Sequence, residues 1–255
     1  MEPARTIDEV IAQLTRIVDL SCARGTADGY FAGFYRRVAA EVRARIARGW
    51  FDDGPRLERL DVRFANRYLQ AWARHETGER AGAAWDLALG ARHAFWPVVL
   101  QHLLLGINAH INLDLGLAAA ATAPGTAIEG LKADFDRINR LLGDLVNDVE
   151  KRLVRVWPPL RRLEGIGGGA DVPVANFSLR RARDHSWSVA LAAAAETDPD
   201  LRAARAEAAD LRAAAIGQRI LHPGFHAGLI LKVERLSERG SIAGKLAVIS
   251  AYTSR

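Results

Sequence analysis

The chain has 255 residues, 35 basic and 30 acidic side chains, 49% hydrophobic residues and a single cysteine. This is ordinary globular composition, and it excludes collagen-like, disordered and disulfide-stapled chains. Only four of the basic residues are lysines, and the arginines alternate with acids instead of forming one stripe, so the net charge of +5 does not point to a nucleic-acid partner.

Cys22 alone cannot form an internal disulfide, and a thiolate zinc site needs more cysteines, which leaves imidazole and carboxylate as metal ligands. The segment from Met1 to Ile17 mixes charges with apolar positions, so no secretory signal is expected and a reducing, cytoplasmic compartment is.

Helical period runs through almost every segment. Thr6-Ile7-Asp8-Glu9 reads as a capping box that opens a helix burying Val10, Leu14, Ile17 and Val18. A second helix is predicted from about Asp28 to Gly49. A third follows Pro55, with Leu57, Leu60, Phe64, Tyr68 and Trp72 inward. An Ala-rich helix is predicted around Ala81 to His93, and Pro97 opens a long apolar one reaching about Ala121.

Thr126-Ala127-Ile128-Glu129 reads as a second capping box, opening a helix that Pro158 and Pro159 stop. Gly165 to Asn176 reads as a loop, and its glycines lack the strand and helix of a phosphate cradle. Further helices are predicted from Ser178 to about Glu196, from Pro199 to about Leu221 and from Phe225 to Glu238. Residues 245 to 250 fit strand or helix equally. The expected fold is all-α, a single-domain bundle of about eight or nine helices around a central apolar helix.

That central helix carries the chemistry. From Ala94 to Leu113 there is no formal charge, long enough for a membrane span, but Gln101, His102, Asn108, His110 and Asn112 interrupt the run and Asp114 follows it. No membrane span is expected. At 100° per residue Gln101, Asn108 and Asn112 form one row, suited to tying backbone carbonyls, while His102, Gly106, His110 and Asp114 form another on the opposite side. Gly106 leaves a space between the two histidines that could admit a metal, a water or a substrate.

Asp61 lies on the apolar stripe of its helix, where an unpaired carboxylate is costly, and Asp134 sits at the edge of another buried stripe. These residues assemble into an expected divalent-metal site for zinc, manganese or iron. His102, His110, Asp114 and Asp61 are its ligands, Asp134 is a free general base, and Asn108 is a second catalytic candidate. His185, His222 and His226 read as surface or capping residues, and His75 and His93 as partners of helix C-termini. No glutamate precedes a histidine by three residues, so the paired motif of di-iron bundles is missing.

The strings Leu60-Asp61-Val62-Arg63-Phe64-Ala65-Asn66-Arg67-Tyr68, Leu100 to Asp114, Asp134 to Asn139 and Asn176-Phe177-Ser178-Leu179 with Arg183 and Trp187 resemble a bacterial all-helical domain family of unknown function over about residues 30 to 190. The resemblance implies that Asp61, Asn66, Asn108, His110, Asp114 and Asp134 belong to the family pattern. A weaker likeness is to the zinc phospholipase C and single-strand nuclease group, whose central helix brackets a Gly-Asp step with histidines; here Ile107 follows Gly106.

The leading expectation is a metal-dependent hydrolase acting on an ester or phosphoester of a small-molecule substrate. The alternatives are an enzyme that binds an apolar or prenyl-diphosphate substrate, and a non-enzymatic binding or scaffold protein whose buried polar groups specify its packing.

Overall fold

Each helix boundary has a local cause. Helix α1 (Ile7–Arg24) begins where the Thr6 hydroxyl accepts from the Glu9 backbone and ends at Gly25, whose φ of 68° is open to glycine. Helix α2 (Gly29–Ala47) follows after four residues. Helix α3 (Gly54–Glu76) opens with Asp53 capping the Arg56 N–H and Pro55 in the first turn. The computed structural model describes residues 1–156 and 179–251, so the predicted stop at Pro158 and Pro159, the loop Gly165 to Asn176 and the Ser178 cap lie outside the described residues.

The Ala-rich stretch is shorter than predicted. Helix α4 (Ala83–Gly90) passes into a 3-10 turn at Ala91–His93 and then into extended chain. The central helix α5 (Val99–Thr122) starts two residues after Pro97, with Gln101 Oε1 accepting from the Val98 N–H. Its middle, His110–Leu115, is wound as a π-helix. The Thr126 capping box does not form. Residues Gly125–Leu131 make a 3-10 segment anchored by buried Ile128 and Leu131, and helix α6 (Lys132–Val156) begins only after it.

Helices α7 (Leu179–Ala195), α8 (Pro199–Leu221) and α9 (Phe225–Ser237) match the predicted pattern. The undecided C-terminal segment is helix α10 (Ile242–Ser250), capped by Ser241, whose hydroxyl accepts from Gly244 N–H. The described residues thus form ten helices and no strand.

Helix α5 runs through the middle, contacting α2, α3, α4, α7 and α8. Its length and composition would allow a membrane crossing, but 94% of its apolar window is buried by its neighbours. One continuous hydrophobic cluster surrounds it, with Trp85, Tyr35, Tyr68 and Phe135 among the largest enclosed side chains.

The approach of α2 to α5 depends on Gly106. A Cβ there would lie 2.4 Å from Phe31 Cγ, so the Phe31 ring fills the space that the sequence left between His102 and His110. Gly106→Ala gains about 1 kcal/mol of helix propensity but overpacks a rigid ring, at about 1–3 kcal/mol or more. A net loss of stability is expected in urea denaturation at constant slope, and an unchanged midpoint would show that Phe31 yields freely.

Candidate functional site

The centre of the molecule is built around Asp114, on the π-wound turn of α5. Its Oδ1 accepts from Arg67 Nε of α3 at 2.8 Å, and its Oδ2 accepts from Trp85 Nε1 of α4 at 2.9 Å. His110 Nδ1, one turn back on α5, lies 3.1 Å from the same Oδ2. Donors from three helices thus meet on one enclosed carboxylate. With the proton of His110 held on Nδ1 toward Asp114, the lone pair stands on Nε2.

That Nε2 is buried and has no hydrogen-bond partner. The imidazole is walled by rings. Phe64 stacks on it with centroids 3.5 Å apart, Tyr35 meets it edge-on at 4.5 Å, and Phe31, Trp85 and Tyr68 stand at 5.5, 6.0 and 6.2 Å. Burial holds the imidazolium form of His110 down against the opposing pull of Asp114, so its pKa lies below the usual histidine range.

Three further polar atoms of this core lack partners: the hydroxyls of Tyr35 and Tyr68, and Asp61 Oδ2. Asp61 is on α3, one turn before Phe64, and Tyr35 feels the charges of both Asp61 and Asp114. Burial, with a smaller contribution from Glu58, pushes the Asp61 carboxyl up to about 7. Burial likewise raises both tyrosines well above their usual value, so they stay protonated donors.

The other expected site residues lie elsewhere. His102 is separated from His110 by Phe31, beside Tyr30 at 6.1 Å, and burial lowers its pKa to about 4. It borders a small void of about 10 Å³ shared with Asp28, Phe31, Tyr68 and Trp85. Asp134 is not a free base. Its two oxygens accept from the backbone of Asp52 and Asp53 at 2.8 and 3.1 Å and from Arg137 and Arg56 at 2.9 and 3.3 Å. Those donors hold it below the usual carboxylate range and make it the anchor of the loop that starts α3.

Asn108 gives its amide to the Ala213 carbonyl at 2.7 Å and receives the Asn112 amide at 3.0 Å, while Gln101 donates to the Ile220 carbonyl at 2.7 Å. This row ties α8 to α5, which leaves Asn108 spent on packing. Asn66 clamps the Ala4 backbone through both its amide atoms, each at 2.8 Å.

The expected four-ligand metal set is therefore not assembled. Among the described residues no three His, Cys, Asp or Glu side chains gather as a metal-holding group. His110 and Asp114 bond each other, His102 lies behind a ring, and Asp134 is saturated. Arg67, Trp85 and Tyr35 belong to the centre but were not singled out in the sequence. The signal that could have found the first two is the demand of an inward Asp114 for cationic and N–H donors.

The profile of the family of unknown function DUF5995 matches residues 7–223. The chain belongs to this family. The match takes in α1 to α8 and hence the whole Asp114 cluster. No curated protein and no solved structure matches the chain. The likeness to the zinc phospholipase C and single-strand nuclease group is not shown, and the separation of His102 from His110 removes the paired histidines on which it rested.

A stability test follows from Asp61. Its carboxyl keeps a proton to about 7 in the fold, while the unfolded chain releases it near 3.8. The folded state therefore binds the extra proton, and stability falls as pH rises from about 4 to about 7, by on the order of 4 kcal/mol at about 1.4 kcal/mol per pH unit. Asp61→Asn should flatten that slope and be the more stable protein at pH 8 in chemical denaturation. Identical slopes in the two proteins would remove Asp61 as the cause.

Proposed function

We propose that this protein is an enzyme that works by general acid–base catalysis at His110, a hydrolase of a small, largely apolar ester. The observation that carries the reading is the unpartnered, buried Nε2 of an imidazole whose other nitrogen is fixed by Asp114. An unsatisfied buried polar atom costs about 1–3 kcal/mol, and the rings of Tyr35 and Tyr68, whose hydroxyls also lack partners, pack against the same imidazole. The π-wound turn carrying His110 and Asp114 supports the reading, because such turns concentrate at functional sites.

In the proposed reaction, Nε2 takes a proton from water as the oxygen attacks the ester carbonyl, and Asp114 stabilises the imidazolium that results. The Tyr35 and Tyr68 hydroxyls are the available donors for the oxyanion. Asp61, protonated up to about 7, gives its proton to the departing alkoxide and is reprotonated from His110, which returns both groups to their starting state. The aromatic walls suit an uncharged acyl group, which enters as those side chains move. A divalent metal would find His110 Nε2 as a ligand but, among the described residues, no set of three around it, so no step is assigned to one.

The complete enclosure of the site favours a second reading, in which the Asp114 network fixes helix packing and catalyses nothing. Two variants separate them. With a panel of short-chain p-nitrophenyl esters, His110→Gln should fold and lose about 10²–10⁴-fold in kcat/KM, and wild-type kcat/KM should fall as pH rises through about 7, where Asp61 loses its proton. If the wild type turns over none of the esters and His110→Phe raises the melting temperature, the packing reading stands instead.

A further inference from the structure

Helix α9 has two apolar faces. Ala227, Leu231 and Glu234 point into the protein. At 100° per residue the opposite side carries Phe225, Leu236, Leu229 and Val233 within an 80° stripe, where a surface helix ordinarily presents polar residues. These four are 81, 71, 56 and 55% exposed.

The stripe continues onto a second element. Phe95 and Trp96, on the extended chain before α5, are 57 and 50% exposed and stack edge-on at 5.2 Å. Lys232 lies 5.4 Å over the Trp96 ring and Arg235 4.8 Å over Phe95, which joins the two pieces into one patch. Among the described residues, six of the ten exposed large hydrophobic side chains fall in it, so the patch is a concentration and not a scatter. Between the two pieces runs a groove of about 820 Å³, bordered by Leu87, Pro97 and Leu221 as well as by the patch.

We propose that this face seats the protein on an anionic lipid surface, with α9 lying in the plane of the headgroups. Charge complementarity chooses the occupant. Lys232 borders the apolar stripe about 20° beyond its Phe225 edge, Arg235, paired with Glu238, lies further round the same flank toward Phe95 and Trp96, and exposed Arg239 follows the helix. Cations thus line one edge of the apolar residues at the depth of lipid phosphates. A Lys or Arg laid along an aromatic ring keeps its head at the polar boundary while its stem shares the apolar layer. Trp and Phe on the rim, basic residues at the edge and an apolar stripe on a short helix are the features of an interfacial helix. A second positively charged copy of this chain would bring those cations against each other.

This proposal is independent of the reading of His110. It is tested by flotation of the full chain with vesicles of phosphatidylcholine alone and of phosphatidylcholine mixed with phosphatidylglycerol. Binding is expected to the mixed vesicles and to weaken with salt. The double variant Phe225→Ser, Leu229→Ser should bind about tenfold or more weakly, and Lys232→Gln about fivefold more weakly, both with wild-type circular dichroism. Failure to bind anionic vesicles, or equal binding by the double variant, overturns it. So does a concentration-dependent dimer in sedimentation that the double variant abolishes, which would make a second copy the occupant.

Discussion

The arrangement of α3, α4 and α5 turns on one carboxylate. Asp114 is enclosed, and a carboxylate taken out of water loses several kcal/mol of hydration that only close donors can offset. Arg67 supplies charge from α3 and Trp85 an N–H from α4, positions that α5 alone could not provide, and His110 adds a donor from one turn back on α5 itself. Arg67 is itself partly open to solvent, its side chain 38% exposed, so its guanidinium loses less hydration than Asp114 does. The pair is thus asymmetric: the cation stands at the edge of the core and the anion inside it. Removing either outer donor would leave a buried acceptor short of partners and loosen the contact between α5 and its neighbours.

The same helix is held on its other side by a different chemistry. Gln101 and Asn108 reach across to carbonyls of α8 at Ile220 and Ala213. Ile220 lies in the last turn of α8, where carbonyls have no partner within the helix. The Asn108 bond needs the backbones close, and Gly217 permits it, since a Cβ there would come 3.4 Å from the Asn108 amide nitrogen itself, besides striking Leu87 of α4. Neutral amides face α8, and the ionised cluster faces α3 and α4. Helix α5 can therefore be apolar by composition and still carry polar groups on two sides, because each side meets its own donors and acceptors.

Much of this frame was legible in the sequence. Period alone gave the helices and the inward stripes, as with Leu57, Leu60, Phe64 and Tyr68 on α3, and it gave the amide row its structural role. Capping was legible where the side chain had no competitor, as at Thr6, and misleading at Thr126, where burial of Ile128 and Leu131 holds a 3-10 segment in place of the first α-turn. The space at Gly106 was misread for a related reason. A missing Cβ on a helix shows that something approaches, and only the partner helix says whether it is a ligand or, as here, Phe31.

The three inward aspartates show where such reading stops. Asp61, Asp114 and Asp134 all fall on or beside buried helix faces by period, and all three are at most 3% exposed. For Asp61 and Asp134 the protonation is decided by neighbours that the local string does not name. Asp134 collects two backbone N–H groups and two arginines and stays ionised. Asp114 has a guanidinium and an indole from other helices. Asp61 has one oxygen without any donor, with Glu58 nearby, and keeps its proton to about 7. Burial is written in a helix's own sequence, whereas charge state depends on which neighbours the fold delivers. A chain of helices can thus place one acid as an anchor, one as an anion that orients an imidazole and one as a proton store within the same core.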